Sequence, residues 1–461
     1  MRQVGPARAK KLTLIPLVAA TYFMVSGGPV GIEELVGEAG YRSGLAILLL
    51  IPLLWSLPTG LMVGELSAAI PAEGGFYVWV RRAMGPFWGF QESWLSLMSS
   101  IFDMAAYPAV FVLSLAQLWP AAAQHHHGVL ISAGLMLLCL LWNLFGSRAV
   151  GNVSLLLGFL LLSPFALLIL FALLHHAAQV GLTGPAPRRD LLGAVIIAMW
   201  NYMGWDNAST VAGEVAQPQK TYPRVMFATL AAIALSYALP IAAVWIAGLP
   251  SRVWTAGSWT AIAALLGGRW LAFALIVASM ISTLGIVNSL MMSYSRLPLA
   301  MAEDGYAPKC FTRKLPNGAP WVSLLICTLA WMAALGLSLD RLLMLDILLY
   351  GASLALEFAA LVLLRLYEPA LARPFAIPGG TAGAIAVGIG PTALLCAAAV
   401  RNRHEMLGSI SALSLGLLLM AAGIMVYWML RLSHKPGDLP HSSSNDNSAG
   451  GSTSCGRAIH T

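Results

Sequence analysis

Asp103 and Asp206 are each a carboxylate set in an otherwise apolar run. An ionisable group at bilayer depth is costly, and it is kept there to pair with a cation, to carry a proton or to tie helices together. Tyr107 follows Asp103 by one helical turn, so the two share a face. Asp206 ends the stretch Trp200-Asn201-Tyr202-Met203-Gly204-Trp205-Asp206. There Tyr202 and Trp205 offer ring faces to an ammonium, each worth about 1–2 kcal/mol when dry. Glu33 and Glu34 directly follow Ser26-Gly27-Gly28-Pro29-Val30-Gly31. Carboxylates so placed can exchange a proton for an amine, which makes Asp206, Asp103 and Glu33 candidates for ion coupling as well as for binding. The plainer alternatives are a structural aspartate at 103, a helix cap at 206 and simple packing for Trp205.

Such residues need elements that hold them away from water, and the composition supplies these. Of 461 residues, 59% are hydrophobic and only 10% charged, against roughly 25% charged in a soluble domain. A helical crossing takes roughly 20 apolar residues. Apolar segments of that length fall near 12–39, 43–70, 86–119, 128–147, 152–177, 190–214, 223–248, 269–299, 320–338, 341–365, 380–400 and 407–431. The pattern implies an all-α integral membrane protein of about twelve transmembrane helices. Residues 1–11 form an N-terminal segment, 12–431 the membrane domain, and 432–461 a Ser-, Asn- and Gly-rich tail expected to be disordered.

The net charge of +7 does not point to nucleic acid, because the cations sit in alternate loops. With both termini cytoplasmic, 18 of the 26 Lys and Arg residues lie inside, as the positive-inside rule requires. The basic N-terminus runs straight into a full-length span and is not expected to be a removable signal peptide. That placement fits a bacterial inner membrane. Cys139, Cys310, Cys327, Cys396 and Cys455 show no metal or disulfide spacing. His125 to His127 read as a solvated loop rather than a metal site.

The elements that must position the carboxylates are interrupted ones. Three glycines and a proline between residues 27 and 31 break the first span, and Gly204 among polar residues breaks the sixth. Irregular backbone at membrane depth is tolerated where it lines a cavity. Two broken spans five apart mark inverted five-helix repeats with the binding site between them. The repeats would run over about 12–177 and 190–365, with two extra helices at 380–431. Flexible kinks are the alternative.

Span ten carries Asp346, Tyr350, Ser353 and Glu357 at spacings of 4, 3 and 4, one polar face that lines a pathway or ties helices together. Glu65, Glu73, Glu92 and Glu214 are expected near the cytoplasmic face, in surface pairs or in an inner gate with Arg81, Arg82 or Arg224.

Several motifs then resemble the amino acid–polyamine–organocation superfamily, over nearly the whole chain to about residue 431. Gly64 to Trp94 is similar to its second-to-third-span signature, and Asn201 to Arg224 to its sixth span and following loop. MAEDGYAP from Met301 and RPFAIP from Arg373 resemble its cytoplasmic segments. SGGPVGIEE, FDMAAYPAVF and WDNASTVAGEV look most like the polyamine-uptake branch known from plants. The resemblance implies a leucine-transporter-type fold with a 5+5 inverted repeat and substrate uptake driven by an ion gradient. It implies that Asp103 stands where the arginine/agmatine antiporter has an asparagine near its substrate, that Asp206 matches a glutamate of proton-linked gating, and that Trp200 is the aromatic gate. The lysine that proton-coupled amino acid members often carry in the fifth span is absent from Asn152 to His176. Ser282 and Thr283 fall where sodium-coupled relatives place hydroxyl ligands.

Amino acid carriers of this kind hold the substrate carboxylate on the free N–H groups of the first break, here Ser26, Gly27 and Gly28. Pro29 removes a donor there and the glutamates add negative charge, which favours a polyamine. The expectation is therefore a proton-coupled polyamine importer, with an amino acid permease as the alternative. Its partners would be a small-molecule substrate, a coupling ion (H⁺) and the lipid bilayer, with no nucleic acid, cofactor or metal. An enzyme is not expected: HExxH, GxSxG and P-loop motifs are missing, and the aspartates lack a GxGD setting. The short termini argue against a signalling receptor.

Overall fold

The computed structural model describes residues 11–174, 190–336, 339–401, 406–407 and 410–433. The N-terminal segment 1–10 and the tail beyond 433 lie outside the described residues.

Helix α1 (Leu14–Val25) ends where Ser26 turns extended and Gly28 and Gly31 take positive φ values of 72° and 93°. Those conformations favour glycine over any residue with a Cβ. Helix α2 (Glu33–Ile51) resumes the first span, then bends at Gly40 (φ 73°) into the second. A π-helical turn at Pro52–Ser56 leads to α3 (Leu57–Ala69). A short amphipathic helix, α4 (Phe76–Met84), precedes α5 (Pro86–Ala116), α6 (His125–Asn143) and α7 (Ser147–Leu174). The sixth span starts as α8 (Leu191–Asn201), opens at Tyr202–Trp205, and continues only as 3-10 turns at Asp206–Thr210 and Ala212–Glu214. There follow α9 (Pro218–Ile246), α10 (Trp259–Tyr294), α11 (Arg296–Glu303), α12 (Trp321–Met332), α13 (Leu339–Tyr367), α14 (Gly380–Arg401) and α15 (Ala412–Ser433). A two-residue hairpin pairs Met406 with Ser411 before α15.

Nine helices among the described residues are long and apolar enough to cross a membrane. The broken first and sixth spans and the short α12 complete twelve crossings. Several boundaries differ from those the sequence predicts, two of them with a visible cause. His125 to His127 begin α6 instead of forming a loop, with His127 Nδ1 3.0 Å from the Ala121 carbonyl. Helix α10 starts at Trp259, ten residues early, because Gly268 (φ 79°) bends it without ending it.

The sixth span packs against α1, α2, α3 and α10, and α5 and α13, which pack on each other, reach it through Tyr107 and Tyr350. Only 17% of the apolar window of α14 or of α15 is buried, against 61% for α13, so the last two helices are peripheral.

One end of the molecule, where α4 and Leu12 lie, is laced by ion pairs. Glu65, fully buried, pairs with Arg365 and with Arg373 at 3.4 Å, and accepts the Ile377 N–H at 2.7 Å. Arg296 donates to Glu214 at 3.0 Å, Lys314 lies 2.5 Å from Glu73, Arg81 pairs with Asp304, and Arg82 lies 2.5 Å from Glu368. The expected partners Arg81, Arg82 and Arg224 therefore do not hold Glu65, Glu73 or Glu214. Glu92 belongs to none of these pairs. It sits between α5 and α13, where its Oε1 accepts from Ser96 and Ser353 at 2.9 and 2.8 Å.

Candidate functional site

The two breaks leave backbone groups without helical partners, and side chains supply them. In the first, Ser282 Oγ donates to the Gly27 carbonyl at 2.5 Å and Trp259 Nε1 to the Pro29 carbonyl at 2.6 Å. The Gly28 N–H reaches Ser26 Oγ at 3.0 Å, and the Gly31 N–H reaches Glu33 Oε2 at 2.7 Å. In the sixth span, Tyr237 donates to the Asn201 carbonyl at 2.7 Å, while the Trp55 and Trp205 indoles donate to the Tyr202 carbonyl at 3.0 and 2.9 Å. Every such bond offsets an unmet backbone group, worth several kcal/mol in hydrocarbon. The breaks also touch each other. A Cβ on Gly204 (φ 92°) would lie 2.4 Å from the Met24 carbonyl, so only glycine lets the two chains approach this closely.

Between the breaks lies a small cavity of about 20 Å³, room for roughly one water molecule. Met24 of α1 forms one wall, and Trp200, Met203, Gly204 and Asn207 of the sixth span another. Asp103 and Tyr107 enter from α5, Tyr294 from α10, and Asp346 and Tyr350 from α13. Two carboxylates, Asp103 and Asp346, thus border one cavity, and a third, Asp206, lies behind Tyr350; none of the lining residues is Lys, Arg or His.

All three aspartates are buried, and the partners they meet are neutral donors, hydroxyls together with the Trp200 side chain at Asp346. Tyr294 donates to Asp103 Oδ2 at 3.1 Å, and Ser99 Oγ donates to Asp346 Oδ1. Tyr350 donates to Asp206 Oδ1 at 2.6 Å while accepting the Gly204 N–H at 3.0 Å, so one hydroxyl fixes both the acid and the break beside it. Tyr107 stacks on Trp200 with ring centroids 6.0 Å apart and planes 19° from parallel. A carboxylate keeps acceptor capacity beyond such bonds, so Asp103 and Asp346 remain able to receive an ammonium.

The structure brings Asp103, Tyr107 and Trp200 onto the cavity wall among the residues singled out by sequence, and holds Asp206 off the wall, behind Tyr350. Others stand elsewhere. Tyr202 and Trp205 are fully buried and turned from the cavity: Tyr202 donates to the Leu48 carbonyl at 3.0 Å, and the Trp205 indole packs back on its own break. Their expected cation–π contacts give way to holding the break. Asp206 does not cap through its side chain, which Tyr350 engages. Glu33 folds back on Gly31 and, with Ser26, Gly27 and Gly28, does not line the cavity; Glu34 is exposed. Ser282 serves Gly27, and Thr283 donates to the Met280 carbonyl at 3.0 Å. The 4-3-4 stripe of α13 is divided between the cavity and a helix contact. Asp346 and Tyr350 face the cavity, and Ser353 joins α5 by a 2.8 Å contact with Ser96. Tyr294 and Asn207 carried no sequence signal of a site.

A second, larger space of about 410 Å³ opens at the ion-paired end, between Glu73, Arg81, Glu214, Glu303 and Asp304. Its acids meet Lys314, Arg296 and Arg81. It is a charge-compensated vestibule, unlike the small cavity.

Two broken spans that meet at a buried polar cavity are the arrangement of a carrier, and comparison with known proteins agrees. Residues 18–427 match the model of the amino acid permease family. The chain belongs to that family. This permease is similar to the polyamine transporter PUT1 of Oryza sativa subsp. japonica, 34% identical over 94% of this chain and 82% of that protein. Polyamine transporter RMV1 of Arabidopsis thaliana is 33% identical over 90% of the permease and 86% of its own length. The serine/threonine exchanger SteT of Bacillus subtilis (strain 168) is 26% identical over 70% and 75%. The permease is a membrane transporter, and its relatives are transporters rather than enzymes.

Proposed function

We propose that this permease imports polyamines, or related cationic amines, by alternating access coupled to inward proton movement. The ion-paired end and both termini face the cytoplasm of a bacterial cell across its inner membrane. The observation that carries the proposal is the cavity itself, with Asp103 and Asp346 on its wall, Asp206 one hydrogen bond behind it through Tyr350, and no cationic side chain among its lining residues. Negative charge in a dry site calls for a cation, and an oligoamine supplies more than one. The Tyr107–Trp200 stack provides ring faces for its methylenes and ammonium groups.

A zwitterionic amino acid fits this site less well. Its carboxylate would need free N–H groups at the first break, and there the Gly28 and Gly31 N–H groups are taken by Ser26 and Glu33. The polyamine transporters among the relatives support the same substrate class. The cavity is too small for a diamine in the conformation described, so binding requires α1, the sixth span and their neighbours to separate.

Radiolabelled putrescine and spermidine uptake into proteoliposomes under an imposed pH gradient tests the proposal. Accumulation that collapses in Asp103→Asn is the expected result. Absence of polyamine flux, with exchange of serine or threonine in its place, would replace it by the amino acid reading.

A further inference from the structure

Below the cavity, α5 and α13 continue to face each other with polar groups. Helix α5 presents Ser99, Ser96 and Glu92, and α13 runs antiparallel with Asp346, Ser353 and Glu357. Glu357 lies two turns, about 10 Å, beyond Tyr350, the cavity residue that holds Asp206. Both Glu357 and Glu92 are fully buried. Among the described residues neither oxygen of Glu357 meets a hydrogen-bond donor, and Glu92 Oε2 also goes without one. The charges acting on Glu357 are Asp206 and Glu92, both acidic.

The other charged and titratable groups on helices packed against α13 are engaged elsewhere. Asp103 of α5 is held by Tyr294, and Glu65 of α3 by Arg365 and Arg373. Arg81 and Arg82 of α4 hold Asp304 and Glu368, and Tyr77 donates to Asp304 at 2.8 Å. Arg401 at the end of α14 lies 2.8 Å from Asp190; on α15, Arg431 covers Trp428 and Tyr427 stacks on Tyr306. Two ionised carboxylates cannot persist together in this setting without a counter-charge. The cavity substrate is not placed to supply one, since neither glutamate lines the cavity.

We propose that Glu357 and Glu92 form a proton-binding site between α5 and α13, separate from the substrate cavity, which loads and releases the proton moved in each transport cycle. The proton bonds to a carboxylate oxygen when the pair is buried, and that O–H bond breaks to water when the helices part. Ser96 and Ser353 hold Glu92 through one oxygen and leave its other free to share the proton. The inference rests on the transport reading above and adds where its proton sits.

The test uses the full chain, purified and in proteoliposomes, with Glu357→Gln as a permanently neutral isostere. Three readings are made: putrescine counterflow without a gradient, putrescine accumulation driven by a pH gradient, and the infrared carbonyl band of a buried protonated carboxyl. The expected result is counterflow within about twofold of wild type, gradient-driven accumulation reduced about tenfold or more, and loss of the band. Glu357→Asp should restore coupling. Glu92→Gln repeats the test on the partner should Glu357→Gln fail to fold. Full gradient-driven accumulation in the neutral variant, or an unchanged infrared band, would overturn the proposal, and so would uptake driven by a sodium gradient alone. Were the wild type to move no putrescine, the substrate reading would fail while the infrared band would still decide the proton site.

Discussion

Acidic residues occur in this permease in two opposed settings. At the cavity, Asp103 and Asp346, and Asp206 just behind Tyr350, meet the hydroxyls of Tyr294, Ser99 and Tyr350 and no cationic side chain. At the far end, Glu65, Glu73, Glu214, Asp304 and Glu368 each meet an arginine or lysine. The difference is one of purpose. A compensated carboxylate closes a structural link between distant segments, whereas an uncompensated one holds charge that a mobile cation must balance. The same substitution type should therefore give opposite phenotypes in the two places.

The largest expected effect is at the compensated end. Glu65→Ala leaves Arg365 and Arg373 buried without their acid, a change that costs about 3–5 kcal/mol. It should remove the permease from the monodisperse fraction in size-exclusion chromatography. Asp103→Asn, by contrast, should leave the elution profile intact while abolishing uptake. A well-folded Glu65→Ala protein would break the comparison.

Next in size is Gly75→Ala. Gly75 has φ 37°, and a Cβ there would lie 2.0 Å from Ser209 Oγ and 2.4 Å from the Ser209 carbonyl carbon, where the 70–75 turn closes on the sixth span. The closed end cannot then form as it does here. Initial uptake rates should fall by about tenfold or more, at reduced thermal stability.

Tyr350→Phe sharpens the comparison more gently. It removes the one hydroxyl shared by Gly204 and Asp206, a loss of about 1–3 kcal/mol. Uptake should drop roughly tenfold with the melting temperature little changed.

The smallest effect is a pH dependence. The Arg82 hydrogen bond holds the Glu368 carboxyl below its ordinary value. Its contribution is therefore complete above the usual carboxylate range and lost as pH falls through the depressed folded value. The half-exposed pair is screened by solvent, so Glu368→Gln should only slightly flatten the melting curve against acid pH. A steeper acid dependence in that variant would argue that the pair is not structural.

Part of this arrangement was legible in the sequence. Gly27, Gly28, Gly31 and Gly204 disrupt apolar runs, so both broken spans could be placed, and the 4-3-4 spacing of Asp346, Tyr350, Ser353 and Glu357 fixed one polar face of α13. Helical periodicity reaches that far because it is local. It fails inside the breaks, where no regular backbone dictates side-chain direction, and so Tyr202 and Trp205 were expected to face a ligand they turn away from. It fails also for partners far apart in the chain. Glu65 finds Arg365 three hundred residues on, and Glu92 meets Ser353 only because α5 and α13 pack antiparallel. Tyr294 ends a helix that shows no alternation of polar and apolar faces, so nothing local marked its hydroxyl as the partner of Asp103.

Equilibrium binding of radiolabelled putrescine to the purified permease tests the central claim most directly, with spermidine, serine and threonine as competitors against wild type and Asp346→Asn. Saturable binding displaced by spermidine and not by the amino acids is the expected result. The affinity should be at least about tenfold weaker in the variant, as when a desolvated charge pair loses one partner. Binding displaced by serine or threonine and indifferent to Asp346→Asn would contradict that claim.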